Sequence, residues 1–292
     1  MGMKLYDFDG MFDKKLSQYI SKNSGLHSEE EWEDIIPAMY SKFGDTQIKS
    51  LGTSPRGYYG AMSDEQLIKC LRAHVKNSVP VSRFLCEAIE SRPGCRPALV
   101  EILNGEEEGL MQYAVNILGA ADEAIPAYMR ILSCEEGDDD EDFKNLCADF
   151  VKEKADLAKE QALECYARGV RKPLMLEMLS SVKSHDDRIF DILIKEFRMG
   201  ENVPMMAGYL ASYGDERALS YLLDKIAEDG ITYDEFQELK YAIEALGGEY
   251  DGERDFSQDK VYQLVQEHNR ADADIFSAFT QGAEGQQGAD KK

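Results

Sequence analysis

The sequence predicts an all-α fold: an α-α superhelix of stacked helix pairs behind a helical N-terminal cap that does not repeat. Three observations predict it. Apolar residues recur at helical spacing behind Ser/Thr-x-x-Glu/Gln capping patterns. No alternating Val/Ile/Thr run bounded by turns marks a strand. A short Ala-initiated motif returns four times along the chain.

Taken in order, Asp7-Phe-Asp-Gly10 is similar to the opening of haloacid-dehalogenase-like phosphatases. That resemblance would make Asp7 a nucleophile and Asp9 an acid/base. Six residues precede Asp7 and no later strands exist to build the sheet such an enzyme needs. The expectation is therefore an Asx turn leading into a helix on Phe12, Leu16 and Ile20. Ser28 and Glu31 form a capping-box pattern before a helix whose stripe is Trp32, Ile35, Ile36, Met39 and Phe43. Pro37 should kink or split that helix, because it lacks the amide hydrogen a helix interior uses.

Gly52-Thr-Ser-Pro-Arg-Gly57-Tyr-Tyr-Gly60 has the glycines of a phosphate loop, but Tyr58 and Tyr59 replace its Lys-Ser/Thr and no strand precedes it. It reads as a flexible loop whose Arg56, Tyr58 and Tyr59 are candidate partner contacts, since Arg and Tyr combine contact area with hydrogen bonding. Ser63 and Gln66 cap the next helix, with Leu67, Leu71 and Val75 inward. Lys69, Arg72 and Lys76 lie on the opposite face, a second candidate surface.

The repeat is carried by Ala114-Val-Asn-Ile-Leu-Gly119, Ala162-Leu-Glu-Cys-Tyr-Ala167, Ala207-Gly-Tyr-Leu-Ala-Ser212 and Ala242-Ile-Glu-Ala-Leu-Gly247, spaced 48, 45 and 35 residues apart. In three of them a second apolar helix follows a short turn. Two-helix units cannot bury their apolar faces alone and must stack. Tyr213-Gly-Asp-Glu-Arg-Ala-Leu-Ser-Tyr-Leu222 resembles the turn and second helix of a HEAT-type repeat, and Leu118-Gly119 to Pro126 resembles a shortened one. The chain is thereby similar, over about residues 95–250, to HEAT-like repeat (α-solenoid) proteins of bacterial type. It departs from that pattern at Arg168-Gly-Val-Arg-Lys172. The expected organisation is a helical cap at 1–92, HEAT-like repeats at 93–255 as the resemblance implies, closing helices at 256–280 and, from its Gly/Gln-rich composition, a disordered tail at 281–292. Aligning Ile125 with Leu219 puts Tyr128, Met129, Leu222 and Leu223 in the core, and Ala127, Arg130, Tyr221 and Asp224 on the outer, partner-facing surface. Thr232 and Glu235 cap a later helix carrying Phe236, Leu239, Ile243 and Leu246.

Net charge is −23, and it is lopsided. Residues 1–92 hold 12 Lys/Arg against 13 Asp/Glu, while residues 93–292 hold 21 against 43. Nucleic-acid affinity comes from cations neutralising phosphates, so a nucleic-acid partner is disfavoured. The run Glu135–Asp142 reads as a solvated loop. Six cysteines without a C-x-x-C pair read as packed free thiols. Histidines 27, 74, 185 and 268 lack the i, i+3 or i, i+4 spacing of a helical metal site. No run is long enough for a membrane helix, and a cytoplasmic location is the default.

The sequence-level expectation is a non-enzymatic scaffold or adaptor that binds a protein partner, without cofactor or metal. One alternative is an acidic inhibitor or immunity-type protein neutralising a basic partner. The other is a glycosylase- or lyase-like enzyme on a HEAT-like scaffold.

Overall fold

The computed structural model describes residues 3–23, 25–105, 107–134 and 141–268. Among these every regular element is a helix, and the one extended pairing is an isolated antiparallel bridge between Ile48 and Thr53. It divides into two compact units, Met1–Ala158 and Lys159–Lys292, at a point inside a helix of the stretch read above as continuous repeats.

The first unit opens with α1 (Phe8–Asn23) and α2 (Glu29–Asp45). Asp7 accepts from the Gly10 amide, three residues on, at 2.8 Å, so the phosphatase-like motif is an N-cap starting α1 rather than the Asx turn expected. Helix α2 continues through Pro37 as one element, neither split nor ended there. Both predicted capping boxes on this side form, at Ser28 with Glu31 and at Ser63 with Gln66. Next come α3 (Pro55–Gly60), α4 (Asp64–Lys76), α5 (Arg83–Glu90), α6 (Arg96–Leu103), α7 (Glu108–Leu118), α8 (Ile125–Ser133) and α9 (Glu141–Glu153). Of the acidic run, Glu141 and Asp142 begin α9, and positions 135–140 lie outside the described residues.

Helix α10 (Ala155–Ala167) spans the division. The second unit continues with α11 (Lys172–Ser180), α12 (Asp187–Met199), α13 (Val203–Tyr213), α14 (Leu219–Ile226) and α15 (Tyr233–Ala245), capped by the expected Thr232–Glu235 box. Of the expected closing helices, residues 260–268 are helical. The remainder, and the tail at 281–292, lie outside the described residues.

The four motif alanines, Ala114, Ala162, Ala207 and Ala242, are all buried, at 0–1% exposure. A second register is sharper. The fourth residues of α6, α8, α11 and α14 are Leu99, Tyr128, Met175 and Leu222, and the eighth are Leu103, Leu132, Leu179 and Ile226; every one is 0–1% exposed. Positions i and i+4 share a helix face, so each short helix buries one apolar stripe. Three of the four enter through a 3₁₀ turn (Pro93–Cys95, Asp122–Ala124, Glu216–Ala218). The exception is α11, whose entry uses Gly169 and Arg171 at positive φ, at the place where the sequence departs from the HEAT pattern.

Two helices intervene that the repeat reading did not name. Between α8 and α11 lies α9 as well as α10, and between α11 and α14 lies α12 as well as α13. This accounts for motif spacings of 48 and 45 residues, too long for two short helices and a turn. Two side chains also depart from the expected register: Ala127 is buried at 4% exposure, and Leu223 is 36% exposed. Tyr128 and Leu222 already fill the inward position. Ala127 lies within the wider buried face of α8, whereas Leu223 falls off the narrower buried stripe of α14.

A recurring device closes several helix ends. Arg130 donates to the Leu103 carbonyl at 2.6 Å, Arg254 to the Ile226 and Glu228 carbonyls at 2.6 and 2.5 Å, and Arg92 to the Gly60 carbonyl at 2.8 Å and to that of Met62. The last carbonyls of a helix have no intrahelical partner, and a guanidinium from a later helix or loop satisfies them.

Candidate interaction surface

The nine residues the sequence offers as partner contacts have unlike fates. Tyr59 is fully buried, with its ring edge-on to Phe8 and its hydroxyl facing Ser82. Tyr58 donates to the Lys4 carbonyl at 2.5 Å and packs edge-on against Tyr6. Arg56 donates to the Ser41 carbonyl (2.9 Å), Asp45 (2.8 Å) and Glu87 (3.2 Å) and lies over the Phe84 ring. Gly44 permits that approach, since a Cβ there would sit 2.5 Å from Phe84 and 2.7 Å from Arg56. The expected flexible loop is thus a short helix, α3, tied inward by its own Arg and Tyr residues.

Lys69 pairs with Glu65 at 2.6 Å and Arg72 with Glu107 at 3.3 Å, while Lys76 is exposed. Arg130 closes α6 and also meets Asn104 at 3.1 Å. Asp224 is exposed. Tyr221 alone of the nine lines the groove of the second unit.

That groove is built on α12. Asp186 caps the helix by accepting from the Arg188 amide at 3.0 Å, and Gly200 ends it at φ 74°. Ile189, Phe190, Leu193, Ile194 and Phe197 form its buried stripe. At one border of the stripe, Asp191, Lys195, Arg198 and Met199 are exposed, and Tyr221 of α14 lies edge-on to Phe190 at 6.5 Å. Phe190, Ile194, Met199 and Tyr221, with Asp191, Lys195 and Arg198, enclose about 490 Å³ open to solvent. Met199 is 54% exposed. Lys195 and Arg198 make no ion pair among the described residues. The sequence signal for this surface was present but unused: the stripe at 189, 190, 193, 194 and 197, bounded by an Asp cap and a Gly stop.

Beside the groove, Arg217 stacks on the Phe190 ring at 4.2 Å and is held by Asp215 (2.7 Å) and Asp187 (2.9 Å). Arg188 repeats the pattern with Asp186 (2.7 Å) and Glu160 (2.6 Å). Hydrogen bonds from these guanidinium groups hold the Asp186 and Asp215 carboxyls below the usual carboxylate range.

A smaller hollow of about 280 Å³ in the first unit is lined by Arg56, Phe84, Glu87 and Arg92, whose charges are engaged with one another or with backbone carbonyls. Deeper in that unit, Tyr40 donates to Asp9 at 2.5 Å, and burial pushes the Asp9 carboxyl up. His74 is buried with Nδ1 2.8 Å from the Pro80 carbonyl, and its Nε2 has no hydrogen-bond partner among the described residues. Burial raises the Cys70 and Cys86 thiols to about 11 and Cys147 to about 12, which keeps them protonated and weakly nucleophilic at neutral pH. Among the described residues no three His, Cys, Asp or Glu side chains converge as a metal site requires, and no helix is long and apolar enough to cross a membrane.

No protein-family model matches the chain, and no curated protein or solved structure matches it either.

Proposed function

We propose that this chain is a non-enzymatic protein-interaction scaffold of HEAT-like, α-α superhelix type, and that the α12–α14 groove of its second unit is a binding surface. The groove carries the reading: an open hollow with an aromatic and aliphatic floor and a half-exposed methionine suits a protein side chain better than a sealed reaction centre. Tyr and Arg at its border are types that anchor interfaces. The superhelical part is supported by the recurring fourth- and eighth-position stripe on α6, α8, α11 and α14 and by the buried motif alanines. These are what stacked units of similar geometry require.

The test is retention of proteins from cell extract by the immobilised full chain, compared with a Met199→Ala/Tyr221→Ala variant. Proteins held by the wild type at low salt and released by the variant are expected. Retention of nothing, or equal retention by both, would remove the groove from the function.

A further inference from the structure

The partner's chemistry can be narrowed, on the assumption that the groove binds protein at all. We infer that it takes an acidic, aromatic-bearing linear segment of a partner protein, not a basic one as net charge alone suggests.

The reason is local. In a chain with 56 acidic and 33 basic residues, cations readily find carboxylates, as Arg56, Arg72, Arg188 and Arg217 do. Lys195 and Arg198 stand three residues apart on one exposed helix face without an ion pair among the described residues. Like charges at that spacing disfavour the helix slightly, so their company is a small cost that an incoming anion would remove. Arg217 with its two carboxylates, Asp187 and Asp215, totals −1 beside the groove, and the lining residues Asp191, Lys195 and Arg198 total +1, so the positive charge is confined to the Lys195–Arg198 end of the groove inside a strongly negative molecule.

Screening decides which field a ligand feels. At physiological salt the screening length is about 8 Å, so a segment seated at the Lys195–Arg198 end senses those two cations and the lining Asp191 more than the charge elsewhere. A basic segment would meet two cations at the mouth. An acidic one would be repelled by most of the surface and accepted in this place, which is discrimination by repulsion as well as attraction. The apolar requirement follows from the floor: Phe190 and Ile194 are nearly covered, and Met199 and Tyr221 offer an adaptable thioether and an aromatic edge.

The experiment is selection of a displayed library of random 12-residue peptides on the full chain, followed by affinity measurement of the enriched peptides. Enriched sequences should be net acidic with at least one aromatic. Their affinity should fall about tenfold or more in Lys195→Glu/Arg198→Glu, as expected when attraction becomes repulsion, and should also fall in Tyr221→Ala. Circular dichroism and urea midpoints confirm that these surface variants fold. Neutral or basic peptides that need Tyr221 but ignore the charge reversal would overturn this inference and leave the proposed binding surface standing. No peptide depending on Tyr221 would overturn both. Peptides that bind a chain ending at residue 268 but not the full chain would assign the groove to the chain's own Asp272–Phe279, which carries Asp272, Asp274, Ile275, Phe276 and Phe279, and would overturn a partner as its occupant.

Discussion

The α3 region of the first unit and the α12–α14 face of the second are built from the same residue types and use them in opposite ways. Around α3, Arg56 meets three acceptors and an aromatic ring, Tyr58 reaches the Lys4 carbonyl, and Tyr59 is completely covered. On α12 and α14, Lys195 and Arg198 stay exposed, and Tyr221 keeps part of its surface at the groove. An arginine–tyrosine cluster is therefore no mark of an interface by itself. What decides is whether the fold brings enough acceptors and apolar surface to consume it.

Substitution separates the two regions, and the largest contrast should come from Tyr59. Truncating a fully buried aromatic removes its packing and leaves a cavity, so Tyr59→Ala should destabilise by about 3–5 kcal/mol. Tyr221→Ala on the other side should stay within about 0.5 kcal/mol. Urea midpoints of the two variants measure this directly, and similar losses would erase the distinction. Next in size is Ala207→Leu, which forces a larger side chain into a fully buried motif position. A loss of about 1–3 kcal/mol is expected from overpacking, and a neutral result would remove that alanine from the packing argument.

Arg130→Ala should cost about 1 kcal/mol by leaving the Leu103 carbonyl without its donor. Amide exchange at the end of α6 should quicken more than elsewhere. Lys195→Glu/Arg198→Glu should leave stability almost unchanged while altering binding.

The smallest effect is on pH dependence. Asp186 and Asp215 have folded-state pKa values below their ordinary ones. Their contribution is therefore complete above the unfolded value of about 4 and disappears as pH falls through the lower folded value. Asp186→Asn/Asp215→Asn should flatten the decline of the urea midpoint below about pH 4 relative to wild type. An unchanged slope would mean that the Arg188 and Arg217 contacts do not persist in solution.

The sequence by itself determined the helices and many of their ends. Capping at Ser28, Ser63 and Thr232, the helix start at Asp7, and the inward faces of Leu67, Leu71, Phe236, Leu239 and Ile243 all depend on neighbours within about one or two helical turns, and that information is local. It also marked the four Ala-initiated motifs that recur along the chain. Only the tertiary structure decided which polar and aromatic side chains would be used up. Arg56 finds Ser41, Asp45 and Glu87 across gaps of 11 to 31 residues, and Arg130 finds Leu103 across 27. The groove likewise joins Tyr221 to an α12 face that begins some thirty residues earlier in the chain. A side chain's capacity to bind is written in its chemistry, but its freedom to do so depends on partners that only packing brings within reach.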